Sequence, residues 1–133
     1  MTVTVSPSPI VPVNDRVTGI NGGTGGSNVL NAFTGDTIGG FPATTGNATV
    51  SVVNASLVPA GFTFDPVTGN TSVAPGTRAG NYFFPYRICE IINPTNCAIA
   101  GEYITGVAPP IVAASDSVTG INGASGAANV LNA

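Results

Sequence analysis

The sequence predicts an all-β sandwich, and three observations support that fold class. Gly and Pro supply 18 and 11 of the 133 residues, so the chain is interrupted by turn residues along its whole length. Good helix formers are few, and no stretch places apolar residues at the 3.6-residue spacing of an amphipathic helix. Short runs rich in Val, Thr, Ile and Phe lie between the Gly, Pro and Asn clusters, which is typical of short strands joined by turns.

A long internal repeat divides the chain. Residues 14–32 read NDRVTGINGGTGGSNVLNA, and residues 115–133 read SDSVTGINGASGAANVLNA, an offset of 101 with no gap. A match at this period indicates a tandem repeat of about 100 residues. We therefore predict three parts: residues 1–13 as the end of a preceding unit and a connector, residues 14–114 as one unit, and residues 115–133 as the start of the next unit, a joining arm.

Strand candidates follow one another between turn signals. Two proline-containing segments, 6–12 and 106–114, are expected to run extended as semi-rigid connectors. The glycine-rich segment 19–28 is expected to be a loop, and it lacks the GK[ST] sequence and the following helix of a phosphate-binding loop. The strand candidates are residues 2–5, 28–33, 47–53, 59–65, 70–74, 80–91 and a last strand near 103–106.

Alternation within these strands predicts which side chains form the core. The inward residues are expected to be Ala48, Val50, Val52, Phe62, Phe64, Tyr82, Phe84, Tyr86 and Ile88. The opposite face of the longest strand would carry Phe83, Pro85, Arg87 and Cys89. Phe83 and Pro85 are apolar on an outward face. Either they are isolated surface residues, which are common, or they contact a neighbouring subunit.

The two cysteines, Cys89 and Cys97, flank a predicted hairpin. Asn93-Pro94 lies midway between them, so the turn would place them opposite each other on adjacent strands. A disulfide is expected in an oxidising compartment. Free thiols are the alternative, whereas two ligands alone make a poor zinc site and CxxC redox spacing is absent.

One stretch also carries a family resemblance. Residues 58–88, VPAGFTFDPVTGNTSVAPGTRAGNYFFPYRI, resemble the PAGLTLDPxTGxxSGxPxxAGxYxF pattern of immunoglobulin-type domains that occur in tandem in bacterial surface proteins. The resemblance implies an immunoglobulin-like β-sandwich of about seven strands with Greek-key connections, extended terminal arms and a role as a stalk, adhesin or filament. Phe83 and Pro85 depart from the family pattern, which usually has Thr or another polar residue there.

Composition excludes several classes of function. The net charge is −3 with no Lys and no His, so no basic footprint for nucleic acid exists. No apolar run approaches the length needed to insert into a membrane. Signatures of hydrolytic, acid–base or Schiff-base catalysis are missing, so an enzyme is not expected.

Two further kinds of site are considered from the sequence. Asp15 and Asp116 recur beside the connectors, and calcium between tandem domains is a hypothesis there, although no DxDxDG-type loop is present. No other metal and no organic cofactor is predicted. Asn47, Asn54 and Asn70 begin N-x-[ST] sequons, which permit N-glycosylation where the host performs it.

The resulting prediction is an extracellular structural repeat of a filament or adhesin stalk, on a bacterial cell surface or secreted. Its partner is another copy of itself, joined head to tail, with Val118, Ile121, Val130 and Leu131 of the arm packed on the neighbouring subunit. The alternative is a carbohydrate- or protein-binding adhesin module. A third class is an accessory domain of a secreted hydrolase.

Overall fold

The computed structural model describes residues 1–133 as strands joined by turns, with one short 3₁₀ helix, Ala55–Leu57. That helix is far too short to cross a membrane. The strands are β1 (Ile10–Val11), β2 (Asp15–Asn21), β3 (Gly26–Asn31), β4 (Thr37–Ile38), β5 (Phe41–Pro42), β6 (Ala48–Val52), β7 (Phe62–Phe64), β8 (Asn70–Val73), β9 (Gly80–Glu90) and β10 (Cys97–Val107).

Two sheets face each other and form the sandwich. One has the order β2-β10-β9-β6 and the other the order β3-β8-β7, while β1, β4 and β5 form a small third sheet. The chain crosses between the two facing sheets from β2 to β3, from β6 to β7 and from β8 to β9, whereas β7 and β8, and β9 and β10, are neighbours within one sheet. If the short pairs β1/β2, β3/β4 and β5/β6 are each counted as one interrupted strand, the sandwich has seven strands. This confirms the predicted fold class.

The first and last long strands lie side by side. β2 pairs with β10 in parallel, from Asp15 opposite Glu102 to Asn21 opposite Val107. β10 continues on its other side as the antiparallel partner of β9 over ten residue pairs. The two longest strands thus occupy the middle of their sheet, where alternate residues point into the core.

The core confirms the predicted inward faces. Phe84, Tyr86 and Ile88 of β9 have no exposed surface, and Ala48 and Val50 of β6 are buried beside them. The second apolar cluster consists of Phe62, Val73, Phe84 and Ile104, with half-buried side chains packed around it. We call these four residues the lower core cluster.

The turns that the sequence predicted are present. The Asp65 carboxylate accepts a hydrogen bond from the Val67 amide (2.9 Å), and Gly69 has a φ of 77° at the end of the same turn. Pro66 and Gly69 supply the backbone angles that such a turn needs. The Tyr82 hydroxyl donates to the Arg78 carbonyl (2.7 Å), which is the contact of a tyrosine corner.

Two predictions about secondary structure were wrong. Residues 2–5 form no strand and are exposed, because no strand lies beside them to pair with their backbone. Part of the glycine-rich loop belongs to β2 and β3, and only residues 22–25 turn between them. Residues 115–133 contain no strand either, although β2 and β3 have almost the same sequence. A strand needs a partner as well as a suitable sequence.

Candidate functional site

The Cys89–Cys97 disulfide is formed, as predicted. The two cysteines are directly opposite each other at the start of the β9–β10 ladder. The turn between them is held by Glu90, whose carboxylate accepts hydrogen bonds from the side-chain amides of Asn93 and Asn96, both at 2.9 Å. The disulfide closes the hairpin at the end of the domain where the chain enters, since Asn96 also donates to the Ser8 carbonyl (2.6 Å).

A group of buried acids lies between the sheets, and the sequence analysis did not anticipate it. Asp15, Asp36 and Glu102 are all buried. The Tyr86 hydroxyl donates to Asp36 Oδ2 (2.9 Å), and the Val13 amide donates to Asp36 Oδ1 (2.6 Å). Asp36 is therefore fully engaged in hydrogen bonds.

The other two acids of this group lack such partners. Asp15 Oδ2 and both carboxylate oxygens of Glu102 make no hydrogen bond, and neither does the hydroxyl of Thr71. Burial raises the pKa of Asp15 to about 7, and the nearby charge of Asp36 adds to the effect. Burial also raises the pKa of Glu102 to about 7, with a smaller contribution from Asp15. Alternation could have indicated this burial, because Glu102 is in phase with the inward residues of β10 on either side of it.

The outer face of the large sheet carries an aromatic pair. Phe83 of β9 is 48% exposed, and its ring centroid lies 4.7 Å from that of Tyr103 on β10. The Arg16 guanidinium lies 4.3 Å from the Tyr103 ring centroid, within cation–π range. Pro85 is half-buried rather than exposed, opposite Gly101 in the ladder. The sequence analysis identified Phe83 and missed Tyr103 and Arg16, because their proximity depends on the strand register.

The arm exposes every one of its apolar side chains. Val118, Ile121, Val130 and Leu131 are 41–53% exposed, and no residue from 107 onward is buried. Subtracting the offset of 101 gives their counterparts in the first copy, Val17, Ile20, Val29 and Leu30. All four counterparts are half-buried and pack against the lower core cluster. The four residues predicted to join subunits are therefore those whose counterparts have a known packing site.

The arm also keeps the local backbone of the first copy. Gly120, Gly126 and Asn129 have φ values of 75°, 61° and 54°, where the counterparts Gly19, Gly25 and Asn28 have 75°, 69° and 51°. The Gly126 amide donates to the Asn122 carbonyl at 2.7 Å, as the Gly25 amide donates to the Asn21 carbonyl at 2.8 Å. Residues 122–126 thus form the same turn without any sheet beside it.

The weaker sites have different surroundings. No group of three or more His, Cys, Asp or Glu side chains is arranged to hold a metal ion. Asp15 belongs to the buried acid group, whereas Asp116 is exposed on the arm, so the residues present do not themselves form a calcium site.

The three sequons also differ. The amide nitrogen of Asn47 donates to the Pro42 carbonyl (3.1 Å), and Asn70 is half-buried. Asn54 is exposed and uses only its side-chain oxygen, in a hydrogen bond from the Ser56 amide (2.9 Å). Asn54 therefore remains the sequon best placed for glycosylation.

Comparisons with known proteins identify the fold. No family model matches the chain, and no curated protein does. Among solved structures, the protocadherin gamma B7 extracellular cadherin domains 1–4 match over 77% of this chain and 25% of that chain, with a TM-score of 0.55 and 18% identity. The human desmocollin-1 ectodomain matches over 76% and 20%, with a TM-score of 0.54 and 12% identity.

A third example is mouse cadherin-23 EC22–24, which matches over 76% of this chain and 32% of that chain, with a TM-score of 0.50 and 16% identity. The chain thus spans between a fifth and a third of these three longer polypeptides. At these identities the likeness concerns the fold. The chain has an immunoglobulin-like β-sandwich fold, similar to that of the domains in these cadherin structures.

Proposed function

We propose that this protein is an extracellular structural repeat of a filament or adhesin stalk, joined head to tail through residues 115–133. The observation that carries the proposal is the arm: four exposed apolar side chains whose counterparts pack on the lower core cluster. Complete burial of a Val, Leu or Ile side chain that was exposed to water stabilises a protein by roughly 1.5–3 kcal/mol. A neighbouring domain that covers them as far as their half-buried counterparts are covered gains part of that free energy.

Two further features support an extracellular location. The Cys89–Cys97 disulfide persists in oxidising compartments and is rare in the cytosol. Similar folds occur in proteins described as extracellular cadherin domains and ectodomains, where the domains follow one another in a chain. A bacterial cell surface or a secreted filament is the setting that the sequence resemblance favours.

Deletion of residues 115–133 tests the proposal. The truncated protein should retain its sandwich, because no residue of the arm is buried against it. Negative-stain electron micrographs should show beaded fibres for the full chain and dispersed particles after deletion. Fibres of equal length and number in both samples would show that the arm does not join subunits.

Calcium at the junction remains a separate hypothesis. Asp116 is exposed next to the proline-containing connector, so it is free to meet oxygen ligands of an adjoining unit. Isothermal titration of the assembled protein with Ca²⁺ measures this directly. The absence of heat would dismiss calcium and leave the joining role intact.

An adhesin module is the second candidate, and the outer face of the large sheet favours it. Phe83 and Tyr103 form a shallow aromatic surface beside Arg16, a composition suited to stacking on a sugar ring or a peptide. Binding of the arm-deleted protein to a glycan array, lost in Phe83→Ala, would support this function. A uniformly blank array would count against carbohydrate recognition.

A further inference from the structure

One glycine of the arm has no reason in its own surroundings to be glycine. A Cβ added to Gly123 would meet nothing within 4 Å, and its φ is not in the left-handed region. Its counterpart in the first copy, Gly22, is buried, and a Cβ there would overlap the carbonyl oxygen of Thr77. Glycine at position 123 is therefore required only if a backbone like that of Thr77 lies against it.

The glycines that the two copies do not share provide a contrast. Gly23 and Gly26 are replaced in the arm by Ala124 and Ala127. The closest atom to a Cβ on Gly23 would be Pro109 Cγ at 3.0 Å, and on Gly26 it would be Val29 Cγ1 at 2.7 Å. Both are side-chain atoms, which can move.

Two of the three glycines that are kept, Gly22 and Gly25, meet backbone instead, whereas a Cβ on Gly19 would meet nothing within 4 Å. A Cβ on Gly25 would overlap the Val73 carbonyl oxygen, and its counterpart Gly126 is again glycine. The positive φ of Gly25 favours glycine by itself, whether or not another backbone lies against it. The glycine at position 123 has no such second reason, so it is the clearer sign of a docking surface. Apart from Gly120, whose φ of 75° itself favours glycine, the arm keeps glycine where a docked hairpin would meet backbone and has alanine where the hairpin would meet only side chains.

Hydrogen bonds define the surface that the first copy uses. The carbonyl of Gly22 accepts from the Thr77 amide (2.9 Å), and the carbonyl of Gly23 accepts from the Gly76 amide (3.3 Å). In the arm, the carbonyls of residues 123 and 124 make no such bond. The segment 73–78 is thus the backbone against which the turn of a docked hairpin lies.

We propose that the arm docks on a second copy of this chain in the place of that copy's residues 14–32. Gly123 would lie against Thr77, and the four apolar arm residues would cover the lower core cluster. The proposal rests on the proposed function and specifies how the subunits join. The partner is a second copy because the arm's kept glycines and its preformed turn both match a site that this chain itself presents.

Docking in this way exchanges one hairpin for another. The resident hairpin of the acceptor must leave, and its contacts are largely replaced by equivalent ones. Position 117 is Ser where the first copy has Arg16, so the arm lacks the contact that Arg16 makes with Tyr103. The resident hairpin is also favoured by its covalent attachment, which gives it a high effective concentration. Exchange in the wild type should therefore increase with protein concentration.

Full-length variants separate the two hairpins. Gly22→Val blocks docking of the resident hairpin, Gly123→Val blocks docking of the arm, and the double variant blocks both. Circular dichroism with urea unfolding reports the fold, and size exclusion with light scattering reports the mass over a hundredfold range of concentration. Gly23→Ala is the matched control, because the arm already carries alanine at the corresponding position.

The expected pattern is specific. Gly22→Val should fold with at least twice the monomer mass, since the arm of another copy completes each sandwich. Gly123→Val should unfold at the wild-type urea concentration but lose concentration-dependent association, and Gly23→Ala should match the wild type. The double variant should fail to fold.

Four results would overturn the proposal. If Gly22→Val is as unfolded as the double variant, the arm cannot replace the hairpin. A folded double variant would mean that neither glycine matters. If Gly22→Val is folded and has the monomer mass at every concentration, the arm docks on the domain of its own chain and not on a second copy. If deletion of residues 115–133 abolishes fibres while Gly123→Val keeps them, the joining function stands and this docking site is wrong.

Discussion

The buried carboxyl group of Glu102 should make the stability of the protein fall as the pH rises. It is fully buried, and neither of its oxygens accepts a hydrogen bond. Its pKa rises from 4.5 to about 7 in the folded protein, mainly because burial disfavours the charged form. The neighbouring Thr71 side chain acts in the opposite direction and lowers the pKa, but burial outweighs it.

The sign of the effect follows from proton binding. Between pH 4.5 and 7 the folded protein holds a proton on Glu102 that the unfolded chain has released, so stability falls as the pH rises. The stabilising contribution of protonated Glu102 to the free energy of unfolding is fully present below pH 4.5 and is lost above pH 7. At 1.36 kcal/mol for each pKa unit, the loss is about 3 kcal/mol. The pKa of Asp15 is raised in the same direction and adds to this slope.

Glu102→Gln should remove this part of the dependence. The variant keeps the shape and neutrality of the protonated acid, so its free energy of unfolding should lie close to that of the wild type at pH 4. At pH 8 it should be more stable by about 3 kcal/mol, because it has no buried charge. Between pH 5 and 6.5 its slope should be smaller by about 1.4 kcal/mol per pH unit. Urea unfolding at half-unit pH steps measures all three quantities.

Glu90→Gln is the control variant, because the pKa of Glu90 is lowered by folding whereas that of Glu102 is raised. Hydrogen bonds from Asn96 and Asn93 lower the pKa of Glu90, so its contribution is present at neutral pH and is lost as the pH falls. This variant should be less stable than the wild type at pH 7 and should keep the wild-type slope between pH 5 and 6.5. A wild type that is more stable at pH 8 than at pH 5, or an unchanged slope in Glu102→Gln, would refute the reasoning.

Three other substitutions test the packing and the hairpin. Tyr86→Phe removes a hydroxyl that donates to Asp36 and leaves a buried acceptor unpaired, so unfolding free energy should fall by about 1–3 kcal/mol in urea titrations. Phe84→Ala empties the centre of the lower core cluster and should cost about 3–5 kcal/mol, measured by thermal unfolding. Replacing Cys89 and Cys97 by serine opens a short loop and should cost about 2.5 kcal/mol, measured against the oxidised wild type. A change below about 0.5 kcal/mol in any of the three would contradict the role given to that residue.

The fold was predictable because its signals are local. Alternation in residues 80–91 indicated the inward face of β9, and Asp65 with Gly69 indicated a turn whose geometry the structure confirms. The disulfide followed from the position of Asn93-Pro94 between the cysteines. Each of these inferences needed only the residues within one hairpin or one strand.

Features that depend on distant pairings were not predictable in the same way. β2 was not identified as a strand, because its sequence is rich in polar residues and its partner β10 lies at the other end of the chain. The proximity of Phe83, Tyr103 and Arg16 requires the register of three strands. The burial of Asp15 and Glu102 likewise follows from that parallel register, which places them side by side.

The parallel pairing of β2 with β10 has a mechanical consequence. The polypeptide arrives at one end of β2 and departs from the opposite end of β10, so a pulling force applied to the two ends of the domain draws these neighbours in opposite directions along their length. Inter-strand bonds loaded in that way must yield together, whereas a hairpin pulled from its open end unzips one bond after another. A domain connected like this resists stretching at the point where force enters and leaves it.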